Sequence, residues 1–288
     1  GKTAAFALPM LQRLSGDIHA VQGLVIEPTR ELANQVAGAI RDYGQHRQVR
    51  VLPIYGGQSY SRQIRGLRRG VDVVVGTPGR MLDLIRKRLL DLSEVGYVVL
   101  DEADEMLSMG FIEDIEAILD ETPMERQTAV FSATLPQRIR SLADRYMRDP
   151  ETVVVNPGRI TVQQTEQRYY LVHESDKTEA LARLLEVEGA TSTLVFTRTK
   201  VGSAELADAL MARNIGAEAL HGDMPQRARE RVMAHFRDGQ IPVLVATDVA
   251  ARGLDIDDIS HVINYDVPYD PESYVHRIGR TGRAGKRG

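Results

Sequence analysis

Short apolar, β-branched runs alternate with amphipathic stretches along this chain, and that alternation limits its fold more than any other feature. In the first half, Leu24-Val25-Ile26, Val71-Asp72-Val73-Val74-Val75, Tyr97-Val98-Val99-Leu100 and Thr128-Ala129-Val130-Phe131 are too continuously apolar for a sheet with one wet face. They read as strands buried on both sides. Between them, Leu32, Val36, Ile40 and Tyr43 share one helical face, as do Met81, Leu82 and Ile85. Strand, loop, helix, strand is the order of a parallel α/β sheet with right-handed crossovers. Thr134-Leu135-Pro136-Gln137 has the form of a capping box with proline in the first turn, which predicts a helix capped by Thr134.

The rhythm fades near Asp149-Pro150 and through the polar stretch from Asn156 to Gln167, then starts again. Leu194-Val195-Phe196, Ala217-Glu218-Ala219-Leu220, Val243-Leu244-Val245-Ala246 and His261-Val262-Ile263-Asn264-Tyr265 form a second set of strands. A chain of 288 residues has enough material for two cores. The expectation is one lobe over 1–153, a flexible linker at 154–165 and a second lobe over 166–288, one architecture used twice without a visible sequence repeat. Tyr169, Tyr170 and Phe236 are expected in the core, and Met106, Met109 and Phe111 are read as packing. Arg62, Arg65, Arg68 and Arg69 are read as a solvated helix face.

Composition removes several function classes. No stretch approaches the eighteen apolar residues of a membrane helix. Cysteine is absent, which excludes disulfides, a thiol nucleophile and a thiolate zinc site, and fits a reducing cytoplasm. With 36 basic and 40 acidic side chains the net charge is −4, so no global positive field attracts nucleic acid. Any grip on such a partner must come from local arginines and backbone amides.

Two places carry chemistry. Gly1-Lys2-Thr3 is the tail of a phosphate-loop pattern, in which the lysine reaches β- and γ-phosphates and the hydroxyl ligates magnesium. The rest of the amide cradle, and the strand before it, are expected upstream of Gly1. Asp101-Glu102 follows the run Tyr97-Val98-Val99-Leu100, which puts a carboxylate at the carboxyl tip of a buried strand. There Asp101 can hold magnesium through water and Glu102 can orient or deprotonate the attacking water. The macrodipole of a following helix accounts for Asp104 and Glu105, but not for a buried strand that ends in two adjacent acids.

Asp101-Glu102-Ala103-Asp104 resembles the motif that names the DEAD-box RNA helicases, and further matches to that family follow in order. They are Pro28-Thr29-Arg30-Glu31-Leu32-Ala33, Gly56-Gly57, Thr77-Pro78-Gly79-Arg80 and Ser132-Ala133-Thr134 in the first half. In the second half they are Val195-Phe196-Thr197-Arg198-Thr199, the pair Gln226 and Arg229, Ala246 to Ile256, and His276-Arg277-Ile278-Gly279-Arg280-Thr281-Gly282-Arg283. The resemblance implies two RecA-like parallel-sheet α/β lobes with ATP and magnesium in the cleft, RNA laid across both, and a further strand after Gly288.

By the same resemblance, Gly1, Lys2, Thr3, Asp101, Gly253, Asp255, Arg280 and Arg283 bind ATP, with Thr3 and Asp101 on the magnesium. Glu102, His276, Arg280 and Arg283 are the catalytic set, the two arginines acting as fingers toward the γ-phosphate. Asp104, Ser132, Thr134 and His276 couple the lobes. Thr29, Arg30, Gly57, Thr77, Gly79, Arg80, Arg198, Gln226, Arg229, Thr247 and Arg252 meet the RNA backbone, a mode with little sequence specificity. The implied activity is ATP-dependent separation of short RNA duplexes. Its rivals are an ATP-gated RNA clamp with the same motifs and a DNA-directed translocase of the same superfamily. Against the translocase stand Asp104, where relatives often have histidine, and His276, where some have glutamine.

Overall fold

A computed structural model describes residues 2–154, 165–189, 191–251 and 259–282. The chain divides into two compact units, 1–152 and 153–288. The first contains α1 (Lys2–Arg13), β1 (Gly23–Ile26), α2 (Arg30–Tyr43), β2 (Val51–Ile54), α3 (Tyr60–Arg68), β3 (Val73–Gly76), α4 (Pro78–Arg86), β4 (Tyr97–Leu100), α5 (Ala103–Ser108), α6 (Ile112–Leu119), β5 (Gln127–Val130) and α7 (Gln137–Tyr146). The second contains α8 (Lys177–Val187), β6 (Thr193–Thr197), α9 (Lys200–Met211), β7 (Ala217–Leu220), α10 (Gln226–Arg237), β8 (Val243–Thr247), α11 (Asp248–Ala251), β9 (His261–Asn264) and α12 (Pro271–Ile278).

Among the described residues, the first sheet runs β2-β3-β1-β4-β5 and the second β7-β8-β6-β9, and every pairing is parallel. Matching β6 to β1 gives the same winding order for four strands in each unit, so the two units are two parallel-sheet α/β domains of one design. Side chains alternate across each sheet. Leu24, Ile26, Val74, Val98 and Leu100 face Met81 and Leu84 of α4 and Ile115 and Ile118 of α6. Val25, Val73, Val75 and Val99 face Phe6 and Met10 of α1 and Val36 and Ile40 of α2. In the second unit, Leu194, Phe196 and Leu244 pack on α10 through Val232, Met233 and Phe236. Val195, Val243 and Val245 pack on α8 and α9 through Leu181, Leu206 and Leu210. Both faces of both sheets are covered, which is why their strands read as unbroken apolar runs.

Several expectations change. Tyr43 is 44% exposed, and the inner face of α2 is Ala33, Val36, Ala37 and Ile40 instead. The helix ends at Tyr43, and Gly44 N–H caps it by donating to the Ile40 carbonyl at 2.9 Å, so Tyr43 falls past the packed stripe. Tyr169 and Tyr170 are 87% and 57% exposed, because residues 166–173 enter no helix or strand that would turn them inward. Phe236 and Met106 are buried, and Arg62, Arg65, Arg68 and Arg69 lie on the exposed side of α3 and its end. The expected linker falls mostly on 155–164, outside the described residues. Among the described residues no helix is long and apolar enough to cross a membrane.

Candidate functional site

The carboxyl rim of the first sheet collects the first unit's described nucleotide-binding candidates, Lys2, Thr3 and Asp101, together with Glu102. Asp101 follows β4, is 4% exposed, and donates its backbone N–H to the Ile26 carbonyl at 3.1 Å. Its Oδ1 accepts the Glu102 N–H at 2.9 Å. Glu102 caps α5 with φ 51° and ψ 50°, a left-handed conformation that costs a non-glycine residue about 1–2 kcal/mol. Strain of this kind persists where the surroundings impose it, and the turn presents the Glu102 carboxylate to Lys2 Nζ, with which it pairs. Lys2 opens α1 and also lies 3.6 Å from Asp101 Oδ1. One lysine thus serves two acids. Burial pushes the Asp101 carboxyl above its ordinary range, with Lys2 opposing and Glu102 assisting. Lys2 itself is held above its usual value: burial works against its charge, but Glu102 and then Asp101 outweigh it. Thr3 is half-buried in the first turn of α1, and Gly1 lies outside the described residues.

The loops after β4 and β5 are stitched together. Asp104 N–H donates to Ser132 Oγ at 3.1 Å. Thr134 donates both its backbone N–H and its hydroxyl to Asp104 Oδ2, at 2.8 and 3.0 Å. This corrects the capping-box reading. Pro136 caps α7 without a side-chain hydrogen bond, because the Thr134 hydroxyl is already engaged with Asp104. A spacing rule sees only neighbours in sequence and missed a partner thirty positions away.

The loops after β1, β3 and β2 bring the first unit's proposed RNA residues to the same rim. Thr29 caps α2 by accepting the Leu32 N–H at 3.3 Å. The Arg30 guanidinium lies on Gly57, whose φ of +79° and lack of Cβ admit it; an added Cβ would meet Nη1 at 2.3 Å. Thr77 and Pro78 open α4 without a side-chain cap, and Gly79 is exposed beside them. Arg80 stacks 4.1 Å from the Tyr60 ring centroid and donates to Gln63 Oε1 at 3.0 Å. Thr29, Arg30, Gly57, Thr77, Gly79 and Arg80 therefore share the β2-β3-β1 half of the rim, while Lys2, Asp101 and Glu102 take the β4 side.

In the second unit Arg198 is exposed and stacks 4.8 Å from the Tyr269 ring centroid. Gln226, in the first turn of α10, donates to Glu230 at 3.2 Å. Arg229 and Thr247 are each 8% exposed, and Arg229 donates to the His221 carbonyl at 3.2 Å. Both sit beneath the surface rather than on it. His276 lies in the last turn of α12, and Arg280 N–H donates to the Arg277 carbonyl at 3.1 Å. Arg252, Gly253, Asp255 and Arg283 lie outside the described residues.

The residue that sequence reasoning passed over is Arg277. It is 3% exposed and grips Asp248 with two bonds of 2.6 and 2.7 Å. It also donates to Asn264 Oδ1 at 2.8 Å and the Asp266 carbonyl at 2.6 Å, and stacks 4.8 Å from the Phe196 ring centroid. An arginine that makes four such bonds ties the start of α11 and the end of β9 to α12. The clue in the sequence was an arginine at an inward helical position one residue after His276.

Comparison with known proteins matches residues 1–142 to the DEAD/DEAH box helicase family and residues 176–285 to the helicase conserved C-terminal domain. The chain is 55% identical over 288 residues to the DEAD-box ATP-dependent RNA helicase CshA of Geobacillus kaustophilus and 52% identical to that of Bacillus subtilis. All of this chain is covered in each case, and it spans 62% and 58% of those relatives' lengths. Among solved structures it resembles S. cerevisiae Dbp5 bound to RNA and ADP BeF3, with TM-score 0.87, 33% identity, and coverage of all of this chain and 75% of that one. A DEAD box protein from Methanococcus jannaschii is 44% identical, with TM-score 0.54 and coverage of all of this chain and 77% of that one. The chain belongs to the DEAD-box helicase family.

For a member of this family the first-unit rim fits a magnesium-bound nucleotide. Asp101 is a carboxyl whose charge is disfavoured by burial despite Lys2, a cost that a divalent cation would offset. Lys2 would meet phosphate oxygens, with Thr3 and Asp101 on the ion. Bound there, magnesium would spread the negative charge of the phosphates.

Proposed function

We propose that this chain is the ATPase core of an ATP-dependent RNA helicase that binds RNA backbone and separates short duplexes locally. The observation that carries the reading is Asp101 and Glu102 at the tip of a buried strand, both paired, among the described residues, to Lys2. Lys2 releases its carboxylate partners and turns to the β- and γ-phosphates when the nucleotide arrives. Glu102, only partly buried and held by a left-handed turn, is placed to take a proton from the attacking water. Arg280 and Arg283 neutralise transition-state charge on the γ-phosphate, with His276 supporting that pair. Asp255 and Gly253 contact the nucleotide from the second lobe. Asp104, Ser132 and Thr134 transmit nucleotide state between the lobes, supported by their mutual hydrogen bonds.

On the RNA side, Arg30, Gly57, Thr77, Gly79, Arg80, Arg198, Gln226 and Arg252 offer a hydroxyl, guanidinium groups and open backbone amides, which suit phosphate and sugar. Thr29, Arg229 and Thr247, each buried, serve that surface from beneath. Lobes over 1–153 and 166–288 with a linker between them, and a cytoplasmic location where ATP and RNA are both available, complete the proposal. The test is phosphate release by the full-length protein with RNA, with single-stranded DNA of the same sequence, and with neither. RNA should stimulate far more than DNA, since 2′-hydroxyls distinguish the two. Equal stimulation by both would overturn the RNA assignment.

A further inference from the structure

Glu27 is a fully buried acid that none of the roles above employs. It follows β1 directly, is 0% exposed, and neither carboxylate oxygen has a hydrogen-bond partner among the described residues. The parallel register pairs Ile26 with Leu100, so Glu27 is level with Asp101 on the adjacent strand. The alternation of side chains puts both on the face covered by α1 and α2, as it does Val25 and Val99. That face holds Lys2 at the start of α1. Three acids, Glu27, Asp101 and Glu102, thus share one nearby cation.

A buried carboxyl with nothing to bond costs several kcal/mol unless a partner reaches it. Burial and then the Asp101 and Glu102 carboxylates push Glu27 well above the ordinary carboxylate range, with only Lys2 opposing. What this position lacks is positive charge or a hydrogen-bond donor, and a hydrated divalent cation brings both. Among the described residues no three acidic or histidine side chains gather closely enough to chelate an ion directly. Magnesium in nucleotide sites keeps several of its waters and takes few protein ligands, so an acid set back from the ion meets it through those waters.

We propose that Glu27 is a positioning residue of the nucleotide site, accepting a hydrogen bond from a water of the magnesium shell held at Asp101. The inference rests on the magnesium–nucleotide reading of Asp101 and adds to it a third acid, supplied by the neighbouring strand. Groups that orient a metal's ligands or waters change metal affinity by about 10–100-fold when removed.

The experiment uses the full-length protein and the fluorescent nucleotide mant-ADP, titrated with Mg2+ for wild type, Glu27→Gln, Glu27→Ala and Asp101→Asn. Both Glu27 variants should need about tenfold more Mg2+ for half-maximal binding. At saturating Mg2+ the nucleotide affinity of Glu27→Gln should stay within about twofold of wild type, a split that a merely structural role would not produce. Circular dichroism and thermal unfolding establish that each variant is folded. Glu27→Gln keeps the side-chain shape and removes a buried carboxyl that nothing bonds, so it is the variant expected to fold in any case. An unchanged Mg2+ midpoint in both Glu27 variants, alongside a shifted midpoint in Asp101→Asn, overturns the role of Glu27 alone. No shift in Asp101→Asn overturns the magnesium site itself and this inference with it.

Discussion

Asp101 and Asp266 follow equivalent strands of two sheets wound in the same order, yet their surroundings drive them in opposite directions. Asp266, after β9, pairs with Lys177 at 2.9 Å and accepts the Arg198 backbone N–H at 2.8 Å. Burial disfavours its charge, but the Lys177 side chain and the Arg198 amide prevail and hold its carboxyl below the ordinary value. Asp101, after β4, is raised by burial and by its carboxylate neighbour, which outweigh Lys2 and the Glu102 backbone N–H. One aspartate is satisfied by its own fold, and the other is left short of positive charge. A carboxyl perturbed in this way marks a candidate functional position. The contrast sets a structurally satisfied acid against a candidate functional one on strands in equivalent positions of the two winding orders.

The sharpest way to break the comparison is Glu102→Gln in the full-length protein. It keeps the size of the side chain and removes the carboxylate, so RNA-stimulated phosphate release should fall by about 10²–10⁴-fold while nucleotide still binds. Near-normal turnover would mean that the charge deficit in the first unit has no catalytic purpose.

On the structural side, Arg277→Ala should cost the second unit about 3 kcal/mol, since it removes a buried guanidinium and its bonds to half-buried Asp248, to Asn264 and to the Asp266 carbonyl. Denaturant unfolding followed by a probe in that unit reads the loss. A cost below about 1 kcal/mol would show that Arg277 is dispensable as an anchor.

The two aspartates themselves make a smaller and more direct test. Asp266→Asn should destabilise by about 1.5–3 kcal/mol at neutral pH, the range for hydrogen bonds to a charged group. Because the folded value of Asp266 is depressed, its contribution is present above about pH 4 and lost as pH falls through that lower value. Asp101 is raised, so its contribution is present below about pH 4 and lost as pH rises through its folded value. Asp101→Asn should therefore leave stability at neutral pH unchanged or improved. Unfolding midpoints for both variants at pH 7 and pH 3.5 check the signs, and equal losses at pH 7 would erase the contrast.

The smallest effect expected is that of Thr134→Val, which removes the hydroxyl bond to Asp104 and keeps the side-chain shape. A cost of about 0.5–1.5 kcal/mol in thermal unfolding fits one hydrogen bond. No measurable change would return Thr134 to being a surface residue.

The sheets were legible in the sequence because central strands covered on both faces, such as β1, β3 and β4, are buried at every position and so are apolar throughout. β2 escaped that reading. Val51-Leu52-Pro53-Ile54 contains a proline, which counts against a strand, but β2 lies at the sheet edge, where a missing N–H is tolerated. The site was legible where one segment carries its own chemistry, as in Asp101-Glu102. It was not legible where the meaning lies in a distant partner. The left-handed turn at Glu102, the bond from Thr134 to Asp104, the grip of Arg277 on Asp248 and the isolation of Glu27 all depend on groups far along the chain.

The sequence by itself determined two parallel-sheet units, the family, and the pair Asp101-Glu102 at one strand tip. These follow from periodicity and from short motifs, which are local properties of a chain. Only the tertiary structure decided how charge is distributed at those tips. Lys2 meets Glu102 across 100 positions of sequence, and Lys177 meets Asp266 across 89. Electrostatic energy depends on distance through space and on exclusion of water. Two acids that look alike in the sequence can therefore end as opposites in the fold.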